Sequence, residues 1–263
     1  MRCLICDTVL QPHLVKDFAG AYGLERAHYE RCPSCGLVVS RTHYELDDDA
    51  WARLNDGYHR EYLGTDANHD DPRWLERLAQ QAQVLPRLHG AGLTPAGRPW
   101  LDYGAGDGKL ADTLAMSGVP MEKFDRFLPA GDGFLGERDL RPDAFDLVLT
   151  TSVFEHVRGV EPLDEVDSLV APDGVMALHT LVRGEIPRDP EWFYLLPVHC
   201  TFLTNRAMEL LLDRWGYRSS LYHVDARLWC FARRDAEWLR ARARDAGLAG
   251  EWAVDDGFAA YWP

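Results

Sequence analysis

The tightest constraint on this chain is the run Asp102-Tyr103-Gly104-Ala105-Gly106-Asp107-Gly108, which follows an apolar stretch ending in Trp100-Leu101 and precedes a helical run from Lys109 to Ser117. A strand that ends in glycines and feeds a helix N-terminus turns tightly and lets a ligand approach without Cβ atoms in the way. Taken alone, such a turn can be only a tight loop. Its spacing is also informative: a dinucleotide fingerprint is G-x-G-x-x-G, whereas this chain has Gly104-x-Gly106-x-Gly108 with an acid, Asp102, closing the strand. That spacing points to a nucleotide-type cofactor other than a dinucleotide.

Two further segments lie in order behind it. Lys123-Phe124-Asp125-Arg126-Phe127 offers a second short strand with an acidic residue, and an acid at that distance can accept both hydroxyls of a ribose. Ala144 to Thr150 is an apolar run of the kind buried in a parallel sheet, and Thr151-Ser152-Val153-Phe154-Glu155-His156-Val157 follows it. With these three pieces, residues 98–218 resemble the class I S-adenosylmethionine (SAM) methyltransferases, whose motifs are D-x-G-x-G-x-G and FDLV followed by an EH pair. The resemblance implies an α/β Rossmann-like fold, mainly a parallel sheet with a final antiparallel pair. It implies SAM as cofactor, bound by Asp102, Tyr103, Gly104, Ala105, Gly106, Gly108, Asp125 and Phe154. One interval departs from the family: the stretch from Asp125 to Asp146, crowded by Gly131, Gly133, Gly136 and Pro142, is too short for the usual helix and third strand. A shortened or absent helix is expected there, with Asp139-Leu140 beside the adenine.

Cysteine spacing adds a second module. Cys3-Leu4-Ile5-Cys6 and Cys32-Pro33-Ser34-Cys35 are two C-x-x-C knuckles separated by 25 residues. Each knuckle sets two thiolates side by side, and two knuckles complete a tetrahedral zinc site with no position left for water, so the metal is expected to be structural. A redox pair is the alternative, although neither knuckle opens a helix in a βαβ pattern. His13, His28 and His43 lie nearby and could replace a cysteine, but Cys3, Cys6, Cys32 and Cys35 suffice. Cys200 and Cys230 sit among apolar neighbours and read as core residues.

Composition excludes some classes. With 28 Lys and Arg against 42 Asp and Glu, the net charge is -14, which supplies little basic surface for phosphate, so nucleic acid is not the expected partner. The arginines from Arg233 to Arg244 alternate with acids and read as a solvated helix face. No stretch is long and apolar enough to span a membrane, and a cytoplasmic protein is expected. The expected organisation is a zinc module over residues 1–45, a helical lid and linker over 46–97, the SAM-binding domain over 98–232, and a C-terminal helix and tail over 233–263. In the linker, Asp71 and Pro72 suit a helix start, Pro86 suits its end or a kink, and Tyr58 or Tyr62 could line a lid over the cofactor or pack in the core.

The methyl of a sulfonium is already activated, so such an enzyme chiefly aligns the acceptor and excludes water. A hydroxyl or acidic C–H acceptor also needs a base, a role that suits histidine. His156 lies at the carboxyl edge of the sheet. His199 closes the proline-interrupted aromatic segment Trp192-Phe193-Tyr194-Leu195-Leu196-Pro197-Val198-His199, which has the character of a substrate-shaping insertion. That segment resembles one in small-molecule methyltransferases, some sugar C-methyltransferases among them, that also carry N-terminal C-x-x-C pairs. The resemblance implies a small polar acceptor, with His199, His156 and Tyr194 as catalytic candidates and His199 foremost. Two other readings remain open: an RNA methyltransferase with a zinc finger, and a non-catalytic SAM- or zinc-binding interaction protein.

Overall fold

The computed structural model describes residues 1–62, 74–128, 130–131, 133–248 and 250–262. The expected helix start at Asp71-Pro72 and the side chain of Tyr62 lie outside the described residues. The chain opens as a ribbon in which β1 (Gln11–Ala21) and β2 (Leu24–Arg31) pair antiparallel. The turn between them is Tyr22-Gly23, with φ of 53° and 84°, the doubly left-handed geometry that matches strand twist in a tight hairpin. β3 (Val38–Ser40) adds to β2, followed by α1 (Arg41–Glu45), α2 (Asp48–Tyr62) and α3 (Trp74–Gly90). α3 continues through Pro86 to Gly90 rather than stopping there. Burial of Leu85 and Leu88 on either side holds the last turn despite the missing backbone donor.

The second half alternates strand and helix. In order come β4 (Trp100–Tyr103), α4 (Lys109–Met116), β5 (Met121–Phe124), β6 (Phe145–Thr151), α5 (Glu161–Leu169) and β7 (Val170–His179). They are followed by β8 (Val182–Arg183), β9 (Thr201–Thr204), α6 (Asn205–Trp215), β10 (Ser219–His223), β11 (Leu228–Ala232), α7 (Ala236–Asp245) and β12 (Trp252–Asp256). Seven strands form the main sheet in the order β12-β10-β11-β7-β6-β4-β5. β5, β4, β6 and β7 are parallel, and β11, β10 and β12 are joined antiparallel beyond them. This is the expected parallel block with a final antiparallel pair, extended by one strand, β12, in the segment read from sequence as tail.

β6 is buried on both faces: Val148 joins one core with Leu101 and Met176, while Leu147 and Leu149 join the other with Trp100 and Leu110. The one acid in this run, Asp146, is fully buried because it is fully used. It accepts from the backbone N–H of Gly97 (2.8 Å) and Arg98 (2.7 Å) and from the Arg98 guanidinium (3.1 Å), pinning the loop that enters β4. Between β5 and β6 the described residues hold a 3-10 turn, Glu137–Asp139, a parallel bridge from Phe134 to Lys123 and an antiparallel bridge from Phe134 to Gly131. The missing helix was expected; the parallel bridge finishes the sheet edge where a third strand would lie.

The ribbon is stitched to the main domain rather than hung from it. β9 pairs with β3 on one side and β8 on the other, giving a second sheet in the order β1-β2-β3-β9-β8, and it runs directly into α6. Thr204 caps α6 by accepting from Ala207 N–H at 3.1 Å and also donates to the Cys35 carbonyl, so one side chain joins helix start and knuckle. Among the described residues no helix is long and apolar enough to cross a membrane. Replacing Asp146 with alanine removes two charge-assisted backbone hydrogen bonds and an ion pair that hold the entry to β4, and is expected to cost about 2–3 kcal/mol. Urea unfolding of the variant checks this, and a midpoint equal to that of the parent would contradict it.

Candidate functional site

The site begins where β4 and β5 end side by side, with Tyr103 paired to Phe124. The Phe124 carbonyl accepts from both Gly104 N–H (2.8 Å) and Ala105 N–H (3.0 Å), which bends the chain off the strand. Gly104 and Gly108 have φ of 77° and 76°. A Cβ on Gly104 would strike the Val153 side chain, and one on Gly108 would stand 2.8 Å from Lys123 Cδ. No larger residue fits either position without displacement.

Two carboxylates flank this turn. Asp125 accepts from Gly106 N–H through Oδ2 (3.0 Å) and from Phe127 N–H through Oδ1 (2.9 Å), so its position is fixed by backbone on both sides. Asp102 is 2% exposed, lines the cavity, and its Oδ1 has no hydrogen-bond partner. Burial raises its pKa to about 7, reinforced by the negative charges of Asp125 and Asp107 and opposed by Lys123. A buried acid with an idle oxygen is the natural partner for a cationic ligand group.

Above the turn lies a cavity of about 540 Å³. Its far wall is built by α2 and α3, which contribute Trp51, Tyr58, His59, Trp74 and Arg77. Tyr58 both lines the cavity and packs in a small core with Leu24, Leu54 and Val198, and the hairpin tip supports it through an edge contact with Tyr22 at 5.6 Å. Arg77 is buried and bonded to His179 Nε2; His179 Nδ1 donates to the Arg227 carbonyl at 2.7 Å, which leaves Nε2 to accept from the arginine. Arg158 ties the start of α2 to the sheet by donating to the Leu46 carbonyl (2.6 Å) and to Asp48 (2.7 Å) while lying over the Trp51 ring. His59 and Arg77 were not singled out in the sequence. Only Arg77 left a signal there, a cation one turn after Trp74 on the face that carries Leu78 and Gln81.

The remaining wall comes from the 3-10 turn Phe154–His156. Phe154 is fully buried and packs edge-on against Trp215 at 6.2 Å, in the core rather than along the cavity. Glu155 is also buried, accepting from Tyr194 Oη at 2.5 Å and from Thr180 Oγ1 at 2.8 Å. His156 lines the cavity, with its ring 5.7 Å from that of His59 and 4.8 Å from that of His199. His199 is fully buried behind it, and its Nδ1 donates to the Tyr194 carbonyl at 2.9 Å. The three catalytic candidates thus come together, in two layers, with only His156 on the cavity surface.

The four knuckle cysteines also converge. Cys3 Sγ lies 3.6 Å from Cys35 Sγ, Cys6 Sγ lies 3.4 Å from Cys32 Sγ, and all four sulfurs fall within 4.8 Å of one another. A tetrahedral zinc thiolate site sets its sulfurs about 3.8 Å apart, so the cluster fits a zinc module. The nearby histidines point elsewhere: His13 to the Pro187 carbonyl and His43 to the Pro197 carbonyl. Cys200 and Cys230 are fully buried, and burial pushes the Cys200 thiol up to about 12.

A family profile described as a methyltransferase domain matches residues 49–220, and the chain belongs to that family. No curated protein matches the chain. Among solved structures it is similar to the citrinin polyketide synthase CMeT domain, at 15% identity over 72% of this chain with a TM-score of 0.44, and spans 58% of that chain. It is similar to a SAM-dependent methyltransferase from Archaeoglobus fulgidus, at 15% identity over 76% of this chain and 98% of that one, TM-score 0.45. It is also similar to magnesium protoporphyrin IX methyltransferase from Synechocystis with bound S-adenosylhomocysteine, at 16% identity over 68% and 94% of the two chains, TM-score 0.43.

The raised Asp102 pKa has a sign that can be tested. A native carboxyl that titrates near 7 instead of its ordinary value binds more protons than the unfolded chain does between these limits. The ligand-free fold therefore loses stability from this group as pH rises from about 4 to about 7. Denaturant titrations of the ligand-free protein across that window check it. Asp102→Asn should flatten the Asp102 contribution, and an unchanged pH profile in the variant would contradict the assignment.

Proposed function

Since the chain belongs to a methyltransferase family, we propose that it transfers a methyl group from SAM to a small polar acceptor in a biosynthetic pathway, such as a nucleotide-linked sugar, with a histidine taking the acceptor's proton. The observation that carries this reading is His156, a histidine on the wall of a cavity whose floor is the glycine turn. His199 stood foremost in the sequence; it is fully buried with its ring 4.8 Å from that of His156, and in this reading it orients that ring instead of taking the proton.

The residues of the floor fit the cofactor. Asp102 offers its idle oxygen to the amino group, Asp125 its carboxylate to the ribose hydroxyls, and the glycine turn the close backbone approach. Phe154 shapes this end of the site from the core. SAM, when bound, supplies an electrophilic methyl group. Alignment and exclusion of water then fall to the protein, and the aromatic wall of Trp51, Tyr58 and Trp74 serves that purpose.

The acceptor class follows from size and charge. A cavity of about 540 Å³ that must also hold the cofactor leaves room for a small molecule, not a folded polymer. The net charge of -14 argues in the same direction against RNA. The four cysteines hold structural zinc in this reading, and the protein works in the cytoplasm, where thiols stay reduced.

Two measurements test these assignments. His156→Gln should lower the rate of methyl transfer about 10²- to 10³-fold while leaving cofactor affinity nearly unchanged. A variant with parental turnover would remove His156 as the base. Protein purified without chelator should contain at least one equivalent of zinc by elemental analysis. Less than about half an equivalent would contradict a four-thiolate site.

A further inference from the structure

The histidine wall carries more than a base. Glu155, His156 and His199 each present one ligand atom, and these three atoms lie within 4.8 Å of one another. Glu155 and His199 are buried, and His156 opens onto the cavity. Two imidazoles and one carboxylate are the donor set of three-ligand transition-metal sites that keep a fourth position open, and His156 sets this cluster at the wall of the cavity.

The surroundings match those of metal ligands. His199 Nδ1 donates to the Tyr194 carbonyl, which directs the Nε2 lone pair into the cluster. Glu155 is gripped on both oxygens by the Tyr194 and Thr180 hydroxyls. A tetrahedral ion with nitrogen and oxygen ligands sets neighbouring ligand atoms about 3.3 Å apart, so closure by about 1.5 Å at most is needed. Side-chain torsions on the short 3-10 turn can supply that movement.

We infer that Glu155, His156 and His199 form a second metal site, selective for a divalent transition metal such as zinc or cobalt, separate from the four-cysteine cluster. Binding stands on this geometry alone. Its consequence for rate rests on the proposed role of His156: a ring nitrogen bound to a metal cannot accept a proton, so the loaded site is a switched-off state of the base.

Cobalt substitution of the full chain, with cofactor bound, tests the site. The first equivalent should enter the cysteines and give intense sulfur-to-cobalt charge-transfer bands. A second should add weaker visible bands without further charge transfer, and X-ray absorption of doubly zinc-loaded protein should show imidazole scattering beside sulfur. Glu155→Gln and His156→Gln, checked for folding by retained cofactor binding, should each weaken the second equivalent at least tenfold and leave the first in place. Saturation at one equivalent, or a purely sulfur environment at two, would overturn the proposal without the variants. Zinc should also slow methyl transfer over the concentration range in which the second site fills. If the second equivalent binds but the rate rises, the metal site stands and the reading of His156 as base fails.

Discussion

The parallel register of β4 and β5 is the constraint on which the rest depends. Because Tyr103 pairs with Phe124, both strands end at one level, and the Phe124 carbonyl collects two amides of the glycine turn at once. That bend sets Asp102 beneath the turn and Asp125 beside it. The two acids then differ by environment alone: Asp125 receives two backbone amides, while Asp102 is buried with an oxygen left over. A shift of one residue in the pairing would send Asp102 to the other face of the sheet, and the floor of the site would cease to exist.

Much of this floor was legible in the sequence because backbone sterics wrote it there. Gly104 and Gly108 are positions where any Cβ collides or strains, and a buried parallel strand such as β6 has to be a continuous apolar run. The short interval before Asp146 likewise foretold a missing helix. What the sequence did not reveal depends on distant packing. β12 lacks a continuous apolar run, with Asp255 and Asp256 in it, and is a strand because β10 offers an unpaired edge. Phe154 and His156 are two residues apart in a 3-10 turn, and only the turn decides that one enters the core and the other the cavity. His59 belongs to an amphipathic helix whose orientation is set by the sheet, so nothing local marks it, and Arg77 is marked only by following Trp74 one turn later.

The ribbon and the cavity are mechanically continuous. β9 pairs with β3 of the ribbon, and the chain just before it, at Cys200, donates to the Glu155 carbonyl. Ser40 N–H in turn bonds the Cys200 carbonyl. The knuckle at Cys35, the strand β9, the buried pair of Tyr194 and His199, and the cavity histidine therefore form one connected path. This gives the N-terminal cysteines a purpose beyond local folding, since they anchor the sheet against which the histidine wall is built. It also explains how the stretch between β8 and β9 is held despite Pro187, Pro190 and Pro197: Trp192, Tyr194 and Phe202 pack with Tyr29 and Val38 of the ribbon in a core of their own.

The central claim is that the bend after β4 is built for an adenosyl sulfonium, with its reactive end toward the histidine wall. A crystal structure with S-adenosylhomocysteine tests it most directly. The account predicts the amino group against Asp102, the ribose hydroxyls on Asp125, and His156 as the nearest histidine to the sulfur. A ligand bound elsewhere, or one whose sulfur faces away from His156, would contradict it.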